Sequence, residues 1–170
     1  IDLTLLQMAT GLRVSEARTL MWDDIITDDQ NRPACIIRAE NAKTGTTRVA
    51  ALVEPAVYEH LTRRRDEVGG AYVVGAPLNP DTEWDRYNAQ KALKAFYKDL
   101  ARDCGVPLLE THRTHVWRTT LNTMYRTDVD ALLRARTLGH SVDVNAQAYS
   151  DLSDLTTLYD AARARRREER

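Results

Sequence analysis

Six side chains, spread over four short segments, hold the groups with which this chain could do chemistry. They are Arg13 in Thr10-Gly11-Leu12-Arg13-Val14-Ser15-Glu16, Lys43 in Ala42-Lys43-Thr44-Gly45, His115 and Arg118 in His115-Val116-Trp117-Arg118, His140 in Leu138-Gly139-His140, and Tyr149 nine residues further on. A guanidinium is a rigid fork that meets phosphate oxygens in pairs. An ammonium on a flexible stem can deliver a proton, and an imidazole can accept or donate one near neutral pH. A phenol, with a reference pKa near ~10, becomes a nucleophile once its proton is drawn away. His115 and Arg118 stand three residues apart, so on a helix both can face one target. Taken singly, each has an ordinary reading: a solvated helix arginine, a lysine that keeps a turn soluble, structural histidines, a tyrosine on an apolar face. Their company and spacing lift them above it.

The surrounding pattern says what must position these groups. Ile1, Leu5, Met8, Ala9 and Leu12 keep the spacing of a helix with one buried face, which Gly11 loosens at its end. Val14, Ala17, Leu20 and Met21 repeat that spacing, so a second helix starts near Arg13 and stops before Trp22, with Arg13 at the junction. From Asp24 to Val53 the pattern turns to short β-rich runs, Ala34 to Arg38 and Thr47 to Leu52, separated by turns at Asp28 to Asn31 and Asn41 to Gly45. That is a small antiparallel sheet, with Lys43 near the tip of its second hairpin. Pro55 opens a helix to about Val68, ended by Gly69-Gly70, and after a loop a longer helix is expected over Asp81 to Asp103, closed by Gly105 and Pro107. Trp117, Thr120, Leu121 and Met124 share a helix face, Asp128 or Asp130 caps the next helix, and Gly139 terminates it just before His140. Leu155, Leu158, Tyr159 and Ala162 make a final helical stripe running into the charged stretch Arg163 to Arg170.

Composition bounds the function. At 170 residues the chain has the size of one ordinary domain and can bury a core without disulfides or metal. Its 24 basic and 25 acidic residues give a net charge of −1, which argues against a simple nucleic-acid binder, although 20 of the 24 are Arg. No apolar run approaches the ~20 residues that span a bilayer and no signal peptide opens the chain, so a soluble, intracellular protein is expected. Cys35 and Cys104 match neither disulfide nor zinc spacing and are expected to be buried, reduced thiols. Ile1 opens directly on an apolar helical pattern, as a fragment of a longer protein would.

In their order and separation the four segments resemble the tyrosine recombinases of the phage-integrase type, whose signature is an early T-G-x-R-x-S-E, a hairpin Lys, H-x-x-R, L-G-H and a Tyr nine residues on. All six functional positions carry the family's residue type, and the resemblance covers nearly the whole chain. It implies an α+β fold, mainly α-helical with a small three-stranded antiparallel sheet: the DNA breaking-rejoining fold, here one catalytic domain over residues 1–170. It also implies an upstream core-binding domain that this fragment lacks. The chemistry implied is attack of Tyr149 on a DNA phosphodiester, giving a 3′-phosphotyrosine. Arg13 and Arg118 would stabilise the charge on the non-bridging oxygens. Lys43 would protonate the departing 5′-oxygen. His115 would take the tyrosine proton or bind a phosphoryl oxygen, and His140 would donate to another. The covalent link keeps the ester energy, so no cofactor and no metal is expected, and the sequence has neither a P-loop nor a carboxylate cluster for Mg²⁺. The implied partners are double-stranded DNA at attachment or core sites, a homo-tetramer built on that DNA from a chain that is monomeric alone, and DNA-bending or directionality factors. No membrane is expected, and the setting is the bacterial or phage-host cytoplasm at the nucleoid. Phage or mobile-element integration or excision is the preferred role.

Two departures stand out. Trp117-Arg118-Thr119 replaces the common Leu-Arg-His, and Asn145-Ala146-Gln147-Ala148-Tyr149 replaces Thr-Thr-x-x-Tyr. Neither removes a catalytic group. Glu16 reads as a structural partner that orients Arg13 or caps its helix, and His112 and Arg113 as surface or DNA-backbone residues. Arg63-Arg64-Arg65 reads as a solvated face or a phosphate contact, and Arg163 to Arg167 as a solvated face or a contact with a neighbouring protomer. Three alternatives share some of these features. A type IB topoisomerase-like enzyme shares the chemistry. A non-catalytic DNA-binding module of the same fold would have lost the six groups. A metal-dependent nuclease built on His112, His115 and His140 lacks carboxylates at ligand spacing, and Arg118 would repel its cation.

Overall fold

A computed structural model describes residues 1–139 and 153–168. Helix α1 (Asp2–Thr10) ends at Gly11, in the left-handed region with φ 68°, and Leu12 then leads to an extended Arg13 before α2 (Val14–Arg18). Polar side chains seal this corner: Thr10 Oγ1 donates to the Leu6 carbonyl, and Gln7 Nε2 reaches the Leu12 carbonyl at 2.9 Å. The expected buried stripe of α1 is only partly right. Ala9 and Leu12 are buried, but Ile1 and Met8 are exposed, and Leu3, Leu6, Thr4 and Gln7 lie inside instead. The cause is tertiary, since α1 packs against α2, the sheet and two later helices and is covered on most sides.

Strands β1 (Ile25–Thr27), β2 (Pro33–Ile37) and β3 (Arg48–Ala51) form the expected antiparallel sheet in the order β1-β2-β3, with Cys35 opposite Ile25 on one side and Ala50 on the other. Alternation splits its residues between two cores. Cys35, Ile37, Ala50 and Leu52 face the larger one with α1, whereas Ala34, Val49, Ala51 and Val53 face a second one. Lys43 lies on the loop between β2 and β3, as expected, and is exposed.

Helix α3 (Pro55–Val68) has the expected bounds, with Pro55 at its first position. Two of its three consecutive arginines are engaged within the chain: Arg64 pairs with Asp2 at 2.7 Å, and the guanidinium of Arg65 lies 4.9 Å from the centre of a Trp22 ring. The helix expected from Asp81 begins later. Residues Asn79–Glu83 are β5, paired with β4 (Gly75–Ala76) in a hairpin, and α4 spans Arg86–Cys104 behind an Asp85 cap that accepts the Asn88 amide at 2.9 Å. Pro77 and Pro80 punctuate that stretch, and the Asp85 cap sets the start of the helix. On α4, Leu93 and Tyr97 are buried, and the Tyr97 hydroxyl accepts from Trp117 Nε1 at 2.5 Å. Cys104 at its end is exposed, against expectation, whereas Cys35 is buried and its thiol is pushed up to about 12 by desolvation.

The short α5 (Leu108–His112) precedes α6 (His115–Met124), and Asp130 caps α7 (Ala131–Leu138) by accepting the Leu132 and Leu133 amides. Gly139 ends α7 with φ 63°. Helix α8 (Ser153–Glu168) packs on the second face of the sheet in its own chain, where Tyr159 and Ala162 are buried. The Tyr159 hydroxyl donates to the Pro33 carbonyl, Arg166 Nη1 donates to the Val53 carbonyl at 2.8 Å, and Arg165 pairs with Asp128 at 2.8 Å. Two arginines of the basic stretch thus bind this chain, while Arg163 and Arg167 are exposed.

Candidate active site

Glu16 is the centre from which the site is built. Its carboxylate is fully covered and accepts three donors: the Arg13 backbone amide at 2.8 Å, Arg13 Nη1 at 3.0 Å and Arg48 Nη2 at 2.7 Å. The first of these closes the N-terminus of α2, because Glu16 is the third residue of that helix and Arg13 its cap. The structural role expected for Glu16, orienting Arg13 and capping the helix, is what the geometry shows.

From this anchor the guanidiniums reach the ends of two other helices. Arg13 Nη2 donates to the Gly139 carbonyl at 2.9 Å, and Arg118 Nη1 donates to the Gly11 carbonyl at 2.9 Å. Arg118 is 5% exposed, and burial first, then the charges of Arg13 and Arg48, pull its pKa down to about 10, with Glu16 opposing. It remains a cation at neutral pH. Among the described residues, two guanidiniums pair with this carboxylate and a third, buried, feels its charge, so cations outnumber the anion they surround. Such a cluster is suited to an anionic oxygen.

The structure brings Arg13 and Arg118 together. His115 stands at the start of α6, one turn before Arg118, but is exposed where Arg118 is buried. Lys43 is exposed on the β2–β3 loop, five residues before Arg48 at the first position of β3. His140 and Tyr149 lie outside the described residues. His112 and Arg113 are exposed, with Thr111 Oγ1 2.9 Å from His112 Nδ1 and Arg113 Nε donating to the Glu110 carbonyl. No group of three His, Cys, Asp or Glu side chains among the described residues is placed to hold a metal ion.

Sequence reasoning missed Arg48. The signal was present: Arg48, Ala50 and Leu52 alternate along β3, so a lone cation opened the face that points to the larger core. Gly139 matters for the same reason, since a Cβ there would stand 2.3 Å from Arg48 Nε, in a backbone conformation that side chains rarely adopt. Gly139→Ala is therefore expected to lower the unfolding free energy by roughly 1–3 kcal/mol in urea titration. An unchanged midpoint would contradict this packing.

A mainly helical fold with a small three-stranded antiparallel sheet thus gathers guanidiniums around one buried carboxylate. Residues 2–155 match the phage integrase family, and the chain belongs to that family. It is thereby a tyrosine-recombinase-type protein, of the class that breaks and rejoins DNA. No curated protein and no solved structure gives a significant match to the chain. No helix among the described residues is long and apolar enough to cross a membrane.

Proposed function

We propose that this chain is the catalytic domain of a site-specific DNA recombinase that cuts and rejoins duplex DNA through a 3′-phosphotyrosine on Tyr149. The observation that carries the reading is the gathering of Arg13 and Arg118, near enough for each charge to act on the other, around the buried Glu16 carboxylate. The hydroxyl oxygen of Tyr149 attacks phosphorus and forms the new P–O bond as its proton passes to His115 or solvent. The bond to the 5′-oxygen breaks, and Lys43 supplies the proton that makes this oxygen a hydroxyl. Arg13, Arg118 and His140 hold the non-bridging oxygens, which carry more charge in the transition state than in the ground state. Attack by a second 5′-hydroxyl reverses the step, so one ester is exchanged for another.

A basic cleft beside the pocket supports a duplex ligand. Val14, Tyr87, Gln90, Lys91, Lys94 and Thr114 line it together with Arg113; Val14 follows Arg13 in the chain and Thr114 precedes His115. Lys91, Lys94 and Arg113 are exposed and have the charge a phosphate backbone requires. Replacing all three by Ala should weaken binding alike on different duplexes and lower the slope of log affinity against log salt by about 1 per lost phosphate contact. Titration at several salt concentrations reads this, and an unchanged slope would place the duplex elsewhere.

The reading extends to a tetramer assembled on attachment-site DNA together with an upstream DNA-clamping domain, and to integration or excision of a phage or mobile element. The decisive test incubates the protein with a nicked suicide duplex in EDTA. A covalent protein–DNA adduct is expected, with the nucleotide mapped by mass spectrometry to the peptide that holds Tyr149. Cleavage that needs a divalent metal and leaves free ends would overturn the proposal.

A further inference from the structure

Arg48 has no part in the scheme above, yet it touches both Glu16 and the end of α7. It is 6% exposed. Its Nη2 holds Glu16 at 2.7 Å, the carboxylate that also holds Arg13, and its Nη1 donates to the Thr137 carbonyl at 3.1 Å. Its Nε lies where a Cβ on Gly139 would sit, buried and without an acceptor among the described residues. Both terminal nitrogens are therefore committed inward, and no fork is left to grip a phosphate directly. What Arg48 does, it does through its neighbours.

Those neighbours form a closed circuit. Arg13 donates to the Gly139 carbonyl, Arg48 donates to the Thr137 carbonyl, and the two guanidiniums meet on Glu16. The last carbonyls of a helix lack intrahelical partners and carry the negative end of its dipole, so two cations are well placed there. The result is a clasp between β3, the start of α2 and the end of α7. The chain leaves α7 at Gly139, and His140 and Tyr149 follow.

We infer that Arg48 is a positioning residue for strand cleavage, fixing Arg13 through Glu16 and fixing the departure of the chain after α7 through Thr137 and Gly139. The inference rests on the function proposed above. Its geometry demands Arg, because the two acceptors lie in different directions and a single ammonium serves one of them at a time.

The test uses the full protein on a saturating nicked suicide duplex. Arg48→Lys and Arg48→Met should slow adduct formation about a hundredfold, the cost of a misplaced catalytic group, with DNA affinity and folded fraction nearly unchanged. In an Arg13→Ala background the same changes should slow it by about tenfold or less, because one group that Arg48 positions is already gone. An equal factor in both backgrounds, or full activity in Arg48→Lys, would overturn the inference. A second arm needs no activity: in Arg48→Met, amide hydrogen exchange over residues 135–139 should accelerate at least about tenfold. Unchanged exchange there would also overturn it. If the unaltered protein forms no adduct, the proposed function falls, and the exchange measurement still decides whether Arg48 holds the end of α7.

Discussion

Arg118→Ala is expected to slow covalent adduct formation by about a hundred- to a thousandfold, the usual loss when one preorganised donor to a developing oxyanion is removed. The argument is electrostatic. Arg118 keeps its charge although burial and two neighbouring guanidiniums weigh against it, and the fold bears that cost by aiming Nη1 at the Gly11 carbonyl and using Glu16 as the shared counter-charge. A phosphorane-like state relieves the repulsion it meets, so the interaction grows as the reaction proceeds. Arg118→Lys should recover little, because a point charge cannot replace a planar fork. Single-turnover rates at saturating DNA test this. A loss below about threefold would deny Arg118 any transition-state role.

Glu16→Ala is expected to damage the fold as heavily as Arg118→Ala damages the rate. Truncating one partner of a buried ionic cluster typically costs about 3–5 kcal/mol, because the charges left behind are neither paired nor solvated. Here they would be Arg13 and Arg48, which pair with Glu16, together with Arg118, which feels its charge. The Arg13 amide at the head of α2 would lose its acceptor as well. Glu16→Gln keeps the shape and two acceptor lone pairs but not the charge, and should lie between the parent and Glu16→Ala. Millimolar inorganic phosphate should restore part of the loss by binding the exposed cations in the folded state alone. Urea unfolding with and without phosphate reads both effects. A change below about 1 kcal/mol for Glu16→Ala would mean that the cluster is held by something other than Glu16.

Local rules made much of this legible. Pro55, Gly69, Asp130 and Gly139 mark helix ends in a single chain because capping depends on residues within a turn of the boundary. The family motif located Arg13 and Arg118, which the fold brings together across 105 residues of sequence. What stayed hidden depended on distant partners. Arg48 meets Glu16 across 32 residues and Thr137 across 89, and no periodicity reports such a pairing. The same limit explains α1, whose buried side is set by everything that surrounds it, and β5, where pairing with β4 overrides the helical start expected at Asp81. Lys43 and His115 stand exposed at the rim, so their proposed roles rest on the motif and on the tests above.

The division of the sheet between two cores has a consequence for how the chain folds. Arg48 points to the face shared with Glu16, and Val49 to the apolar layer beneath α8. Sliding β3 by one residue along β2 would exchange them, thrusting a cation into hydrocarbon and taking from Glu16 one of its two guanidinium partners. The ion pair thus proofreads the hairpin: a misaligned pairing of these two strands is penalised on both faces at once, and the alignment that survives is the one that sets Arg48 opposite Ile37.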